Sequence, residues 1–281
     1  MKAKRLLALL LAIYCTIIVG CKKENNPNTH KIVSTQEIVY YDEGGFYHEH
    51  DWFGQYIVII EALFDDARMM YFVITSPTTV AVVDSRMFYY EESQSGNGYM
   101  GYVYRGEEII PSEIKHLGET YSVTETWSFG ASTNLRSLVL PNSVTLVGGA
   151  YQCLNLTSVD FGNSVAVIDE SAFASCERLS SVELPNTLEE IRKYAFYNSG
   201  LTSITIPSSV TSIGNYAFAN CANLTTITCL SQDPPMLIGD AYGIDVSYNT
   251  PLEVIRVPIQ SVDAYKTARG WSIYADIIVG F

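Results

Sequence analysis

Few residues in this chain are placed to do chemistry. The four histidines stand at 30, 48, 50 and 116. His48-Glu49-His50-Asp51 would set two imidazoles on one side of a strand, which is half of a metal site. A specific zinc site needs three or four convergent ligands, however, and the adjacent Gly44-Gly45 reads as an exposed loop. Gly96-Asn97-Gly98-Tyr99-Met100-Gly101 spells G-x-G-x-x-G. The dinucleotide fingerprint requires a helix after the last glycine to hold the pyrophosphate, and tyrosine-rich β sequence follows instead, so the stretch reads as a hairpin loop. There is no G-x-S-x-G and no H-E-x-x-H. With 30 Asp plus Glu, a glycosidase-type carboxylate pair is available by count, yet the periodic region described below leaves few positions for a deep cleft. No catalytic residue, metal ligand or cofactor is assigned, and the chain is expected not to be an enzyme.

Charge narrows the partners. Seventeen Lys plus Arg against 30 acids give −13, which disfavours nucleic acid and anionic bilayer surfaces, because both are bound through basic side chains. At the N-terminus Lys2, Lys4 and Arg5 precede an apolar run from Leu6 to Ile18, too short to cross a hydrocarbon core of about 30 Å, so it reads as an export signal over 1–20. Ile18-Val19-Gly20-Cys21 resembles a bacterial lipobox, and Cys21 would take a diacylglycerol and become the first residue after cleavage. A simple signal peptide with a chance cysteine is the alternative, but residues 21–33 have the polar make-up of a tether. Several acyl chains on one cysteine anchor a protein in effect permanently. Lys22 stands where an inner-membrane retention Asp would be, so the expected address is the outer membrane of a Gram-negative cell. Lys23-Glu24 partly resembles the export tags of surface lipoproteins of Bacteroidota, which points to the outer face.

Periodicity decides the architecture. Leu135-Arg-Ser-Leu138-Val-Leu140, Leu156-Thr-Ser-Val159-Asp-Phe161, Leu179-Ser-Ser-Val182-Glu-Leu184, Leu201-Thr-Ser-Ile204-Thr-Ile206 and Leu224-Thr-Thr-Ile227-Thr-Cys229 share L-x-x-[VIL]-x-φ, with leading leucines 21, 23, 22 and 23 residues apart. A second ladder runs in step: Phe129, Tyr151, Phe173, Phe196 and Phe218, each after Ser or Ala. Pro141, Gly162, Pro185 and Pro207 end the first strand of successive copies, since proline cannot donate to a ladder and glycine permits the corner. One such rung cannot bury its own Leu and Phe. It must stack on its neighbours at about 4.8 Å, which makes a solenoid with the phenylalanines as a continuous internal spine.

The pattern L-x-x-I-x-[IL]-P-x-[ST]-[VL]-x-x-I-x-x-x-A-F-x-x-C resembles the BspA-like, or Treponema-type, leucine-rich repeats of bacterial surface proteins. The resemblance covers about half the chain and implies an α/β leucine-rich-repeat solenoid of short strands and short helical turns over 129–258. A β-rich N-terminal capping region over 34–128 precedes it, and a C-terminal cap over 259–281 follows. The first strands would carry Arg136, Ser137, Thr157, Ser158, Asp160, Ser180, Ser181, Glu183, Thr202, Ser203, Thr205, Thr225, Thr226 and Thr228 outward, in a hydroxyl-rich strip roughly 25–30 Å long. Ser and Thr suit any solvated sheet, but extended solenoid faces also serve recognition. Ser158, Asp160, Ser181, Glu183, Ser203, Thr205, Thr226 and Thr228 are the candidate binding residues. What the family implies is a non-enzymatic surface module adhering to a protein or glycan on host or neighbouring cells. A periplasm-facing structural lipoprotein is the alternative, and a glycan-processing enzyme a more distant one.

Residues 34–125 contain runs rich in branched and aromatic residues, at Glu37–Tyr41, Tyr56–Ile60, Met69–Ile74, Val80–Val83 and Tyr99–Tyr104, and read as strands. The eleven tyrosines between 22 and 130 could stack on sugars, although alternating strands bury aromatics routinely. Cys153, Cys176 and Cys221 fill one repeat position and read as inward-facing free thiols. Stacked rungs would still bring Cys153 and Cys176 within disulfide reach of about 4.4–6.8 Å between Cα atoms. Ser261–Lys266 suits a short capping helix stopped by Gly270, with Trp271 and Tyr274 covering the last rung.

Overall fold

Branched and aromatic runs separated by Gly, Pro and Asp become strands, and the repeat region becomes short parallel strands joined by tight turns. The computed structural model describes residues 32–41, 56–64, 69–83, 104–129, 132–239 and 247–281. Cys21, the His48–Asp51 cluster, the Gly96–Gly101 motif and the Tyr99–Val103 stretch lie outside these residues. The described chain divides into two units. The first takes the residues up to Val83 and 111–124, and the second takes 104–110 and 125–281. The sequence pattern assigns 104–110 to the N-terminal region; in the structure this segment is the first rung of the solenoid.

The first unit is an antiparallel meander of β1 (Ile32–Tyr41), β2 (Tyr56–Phe64), β3 (Met69–Ser76) and β4 (Thr79–Val83). Met70, Phe72, Val73, Val80, Ala81, Val82 and Val83 are all fully buried, so β3 and β4 are covered on both faces and do not alternate. In chain order β5 (Arg105–Ile109) belongs to the other unit, while β6 (Glu113–His116) and β7 (Glu119–Thr126) form a hairpin. Its turn is Leu117-Gly118, both at positive φ, as a tight two-residue connection requires. His116, buried, has Nδ1 2.9 Å from Thr35 Oγ1. The unit boundary falls inside β7, after Thr124.

The second unit is a repeat solenoid. Its first strands form two parallel ladders: β5, β8 (Asn134–Val139) and β10 (Ser158–Asp160), then β13 (Ser203–Ile206), β15 (Thr226–Cys229), β17 (Val254–Val257) and β18 (Ile278–Gly280), the last two flanking the C-terminal cap. A third parallel ladder, of the second strands, runs from Glu125-Thr126 through β9 (Leu146–Val147), β11 (Val167–Ile168), β12 (Glu190–Ile191), β14 (Ser212–Gly214) and β16 (Met236–Ile238). The third side holds the expected helical turns as successive hydrogen-bonded turns, with positive φ at Ser171, Ser175, Tyr194, Asn198, Tyr216 and Asn220. These also ladder between rungs: Phe173 N donates to Ala195 O at 2.7 Å and Phe196 N to Ala217 O at 2.8 Å.

The five leading leucines are fully buried. Phe173, Phe196 and Phe218 stack with centroids 5.5 and 5.8 Å apart and planes within 15°. The aromatic spine is not continuous, however. Tyr151 is 45% exposed, and Phe161 takes its place, edge-on to Phe173 at 5.6 Å. The cause is turn length: two steps lead from Tyr151 to Cys153, against three from Phe173 to Cys176 and from Phe218 to Cys221. The shortened turn moves its left-handed residue to Gln152 and leaves the ring outside. Phe129 packs instead on Tyr104, edge-on at 5.3 Å.

At the C-terminus a 3-10 turn (Ile259–Ser261) leads into α1 (Val262–Thr267). The helix ends at the extended Ala268, and Gly270, at φ 81°, opens the next 3-10 segment (Trp271–Ile277) where the sequence reading had it stop the helix. Tyr265 and Trp271 are buried edge-to-face at 5.0 Å, and Trp271 Nε1 donates to Pro235 O at 2.7 Å. The chain then adds β18, a strand the sequence reading did not contain.

Candidate recognition surface

Alternation along the first strands turns one residue in two away from the leucine core. Register aligns these residues into columns. Ser158 lies opposite Ser137 and, through it, Glu107, while Asp160 lies opposite Val139 and Ile109. In the later ladder Ser203, Thr226 and Val254 form one row, and Thr205, Thr228, Arg256 and Val279 the other. Ser181 and Glu183 hold the same repeat places in the intervening rung. Ser158, Asp160, Ser181, Glu183, Ser203 and Thr205 are exposed, and Thr226 and Thr228 half-buried. The strip is therefore present in two segments. Residues 181–184 join neither ladder, and Val182 and Leu184 there are only half-buried, although Thr202 N still donates to Ser180 O at 3.1 Å.

At the N-terminal edge of this face lies a shallow groove of about 690 Å³ lined by Gly106, Asn134, Arg136, Asn155, Thr157 and Arg178. The sequence reading named Arg136 and Thr157 among outward residues but missed the rest. The signal was the place just before each leading leucine, held by Asn134, Asn155, Arg178, Gly200 and Asn223. Arg178 Nη1 donates to Asn155 Oδ1 at 3.1 Å, and Asn155 Nδ2 donates to Thr133 O at 2.6 Å, so the amide is held at both ends. Thr157 Oγ1 donates to Arg136 O at 3.0 Å. β5 shifts register between Gly106 and Glu107, and Gly106 has φ 70° with open space where a Cβ would point.

On the turn side Tyr194 and Tyr216 stack at 5.4 Å with planes 8° apart, Tyr248 meets Tyr216 edge-on at 5.9 Å, and Lys193 Nζ sits 5.0 Å over Tyr194. Tyr194 and Tyr216 thereby cover one face of each other, while Tyr248 stays exposed.

The four described cysteines are buried thiols without a disulfide. Cys176 Sγ donates to Ala150 O at 3.2 Å and Cys221 Sγ to Phe196 O at 3.1 Å. Burial, and then the Cys153 thiol, push Cys176 well above the ordinary thiol range, and burial pushes Cys229 up to about 12. Such thiols stay protonated and unreactive. Among the described residues no three His, Cys, Asp or Glu gather as metal ligands, and no helix is long and apolar enough to cross a membrane.

Comparison with known proteins defines the class. The family model for the BspA type leucine-rich repeat region matches in six copies over residues 111–225 and 148–260, more than half of the chain. The chain belongs to this family. No curated protein matches it. Among solved structures, a leucine-rich repeat protein from Bacteroides ovatus is 20% identical, with TM-score 0.45, over 68% of this chain and 58% of that one, so the match spans less than two thirds of the Bacteroides chain. The T. pallidum leucine-rich repeat protein is 22% identical, with TM-score 0.45, over 60% of this chain and 67% of its own. A leucine-rich cell surface protein from Faecalibacterium prausnitzii is 19% identical, with TM-score 0.29, over 69% of this chain and 70% of its own.

Proposed function

We infer that this chain is a recognition protein without enzymatic activity, held to the outer membrane of a Gram-negative cell by lipid on Cys21 and displaying its repeats outside to a protein or glycan of a host or neighbouring cell. The observation that carries the reading is register. Parallel pairing places Ser203 beside Thr226, and Thr205 beside Thr228 and Arg256, so donors and acceptors repeat at one strand spacing along an exposed face. Such a face suits an extended ligand, and no closed cavity is required. The anchor and address are supported by Lys2 through Cys21 in sequence.

Two experiments test the two halves of the reading. Protease shaving of intact cells is expected to remove the chain; its survival until the envelope is opened would make it periplasm-facing. Capture of partners by the full chain is expected to be lost when Ser181, Thr205 and Thr228 are changed together to Lys. Equal capture by that variant would reduce the strip to solvated surface.

A further inference from the structure

The groove at the edge of the strand face gathers two of the five basic side chains of the solenoid. Residues 129–258 hold five basic side chains, at Arg136, Arg178, Arg192, Lys193 and Arg256, against eleven acids. Arg192 is committed, with Nη1 2.9 Å from Asp169 Oδ1 and Nε 3.2 Å from Glu190 Oε2. Lys193 lies over Tyr194. Arg136 and Arg178 converge on one groove, and among the described residues its lining contains no carboxylate and neither arginine forms an ion pair. Their Cα atoms are two rungs apart, about 10 Å by strand spacing, and the Arg178 hydrogen bond to Asn155 turns its guanidinium back by one rung.

We propose that this groove binds a saccharide carrying one anionic oxygen group, a carboxylate or a sulfate, with the group on Arg178 and Arg136 and the ring hydroxyls on Asn134, Asn155 and Thr157. A guanidinium offers a planar fork that matches such a group with two parallel hydrogen bonds. The Asn155 link uses one of the five N–H donors of Arg178, and the other lining residues supply amides and a hydroxyl of the kind that pair with sugar hydroxyls. The chemistry of the lining separates this ligand from others. A peptide would find no apolar anchor among Gly, Asn, Arg and Thr. A polyanion would meet the repulsion of a chain at −13, whereas a single charge seated on two arginines is governed by its near neighbours, since fields are screened beyond about 8–10 Å. Gly106 lines the groove at φ 70°, and a Cβ there would meet no atom within 4 Å. The groove excludes the eight candidate strip residues, so the inference does not rest on the strip being a recognition surface.

The test is calorimetric titration of the full chain with sialyllactose, lactose 3′-sulfate, lactose and triglutamate. Saturable binding of one or both anionic sugars is expected, with lactose at least tenfold weaker, and the two anionic arms show which group is preferred. Arg178→Gln and Arg136→Gln should each weaken binding by about tenfold to a hundredfold, the range for losing a charged hydrogen-bond partner. Arg256→Gln, which removes the same charge from the far end of the face, should change it by less than about twofold. Arg178→Lys, which keeps charge but loses the fork, should fall between wild type and Arg178→Gln, and serves where the Gln variant melts early. The proposal is overturned if neither anionic sugar binds, if lactose binds equally, if the groove variants match wild type, or if Arg256→Gln costs as much. Binding of triglutamate as strong as that of the sugars, lost in the same variants, would reassign the groove to acidic peptides.

Discussion

Phe196 sits between Phe173 and Phe218 with both faces covered, so its removal opens a cavity that rings on two neighbouring rungs border. Phe196→Ala is expected to cost about 3–5 kcal/mol in denaturant unfolding. Tyr151→Ala, at the same repeat position but on the surface, should stay within about 0.5 kcal/mol. Equal losses would return Tyr151 to the spine. The thiols make a second prediction at this scale. Below its ordinary value of 9.0, Cys229 is protonated in both folded and unfolded chains, and its contribution to stability is fully present. Between 9.0 and about 12 the unfolded chain loses the proton first, so stability falls as pH rises through that window. Chemical unfolding measured from pH 8 to 11 should show this decline, and Cys229→Ala should make it shallower. A slope unchanged in that variant would assign the alkaline loss to other groups.

Rungs approach one another most closely at glycines. A Cβ on Gly214 would lie 2.3 Å from Lys193 N and 2.6 Å from Arg192 C, backbone atoms of the preceding rung that cannot swing aside. Gly214→Ala is therefore expected to lower stability by about 1–3 kcal/mol or more through overpacking, read as a lower melting temperature. Gly106→Ala meets no atom, so only the strain of a positive φ should register there. A larger effect at Gly106 than at Gly214 would contradict the packing described. Elements also differ in how visible they are in sequence. Pro141, Pro185 and Pro207 announce their corners, and each accepts the N–H three residues on, at 3.1, 3.0 and 3.2 Å. β18 announces nothing, because Ile278-Val279-Gly280 is a strand only by virtue of the β17 edge it meets.

In a solenoid each rung contacts only its neighbours, so the ends decide solubility. β17 is paired on its outer side by β18, and Tyr265 and Trp271 cover the last rung. Removing residues 259–281 would leave β17 as an open strand edge, and concentration-dependent self-association is expected in sedimentation velocity. A truncated chain that stays monomeric at the same concentrations as wild type would show that the cap is dispensable. At the other end, β5 pairs in parallel with β8 across some 30 residues of chain, which is why the boundary between units does not follow the order of the sequence.

The period, the inward leucines and the corners were legible from residue order, because each rung repeats the same local solution and repetition amplifies a weak pattern into a certain one. The outward places of Ser158 through Thr228 followed from alternation alone. Three features depended on tertiary structure: the expulsion of Tyr151 by a turn one residue short, the break in the strand ladder at 181–184, and the convergence of Arg136 with Arg178. Each depends on how far one rung slides against the next. That offset is set by turn lengths and contacts between segments distant in the chain, and no single repeat encodes it.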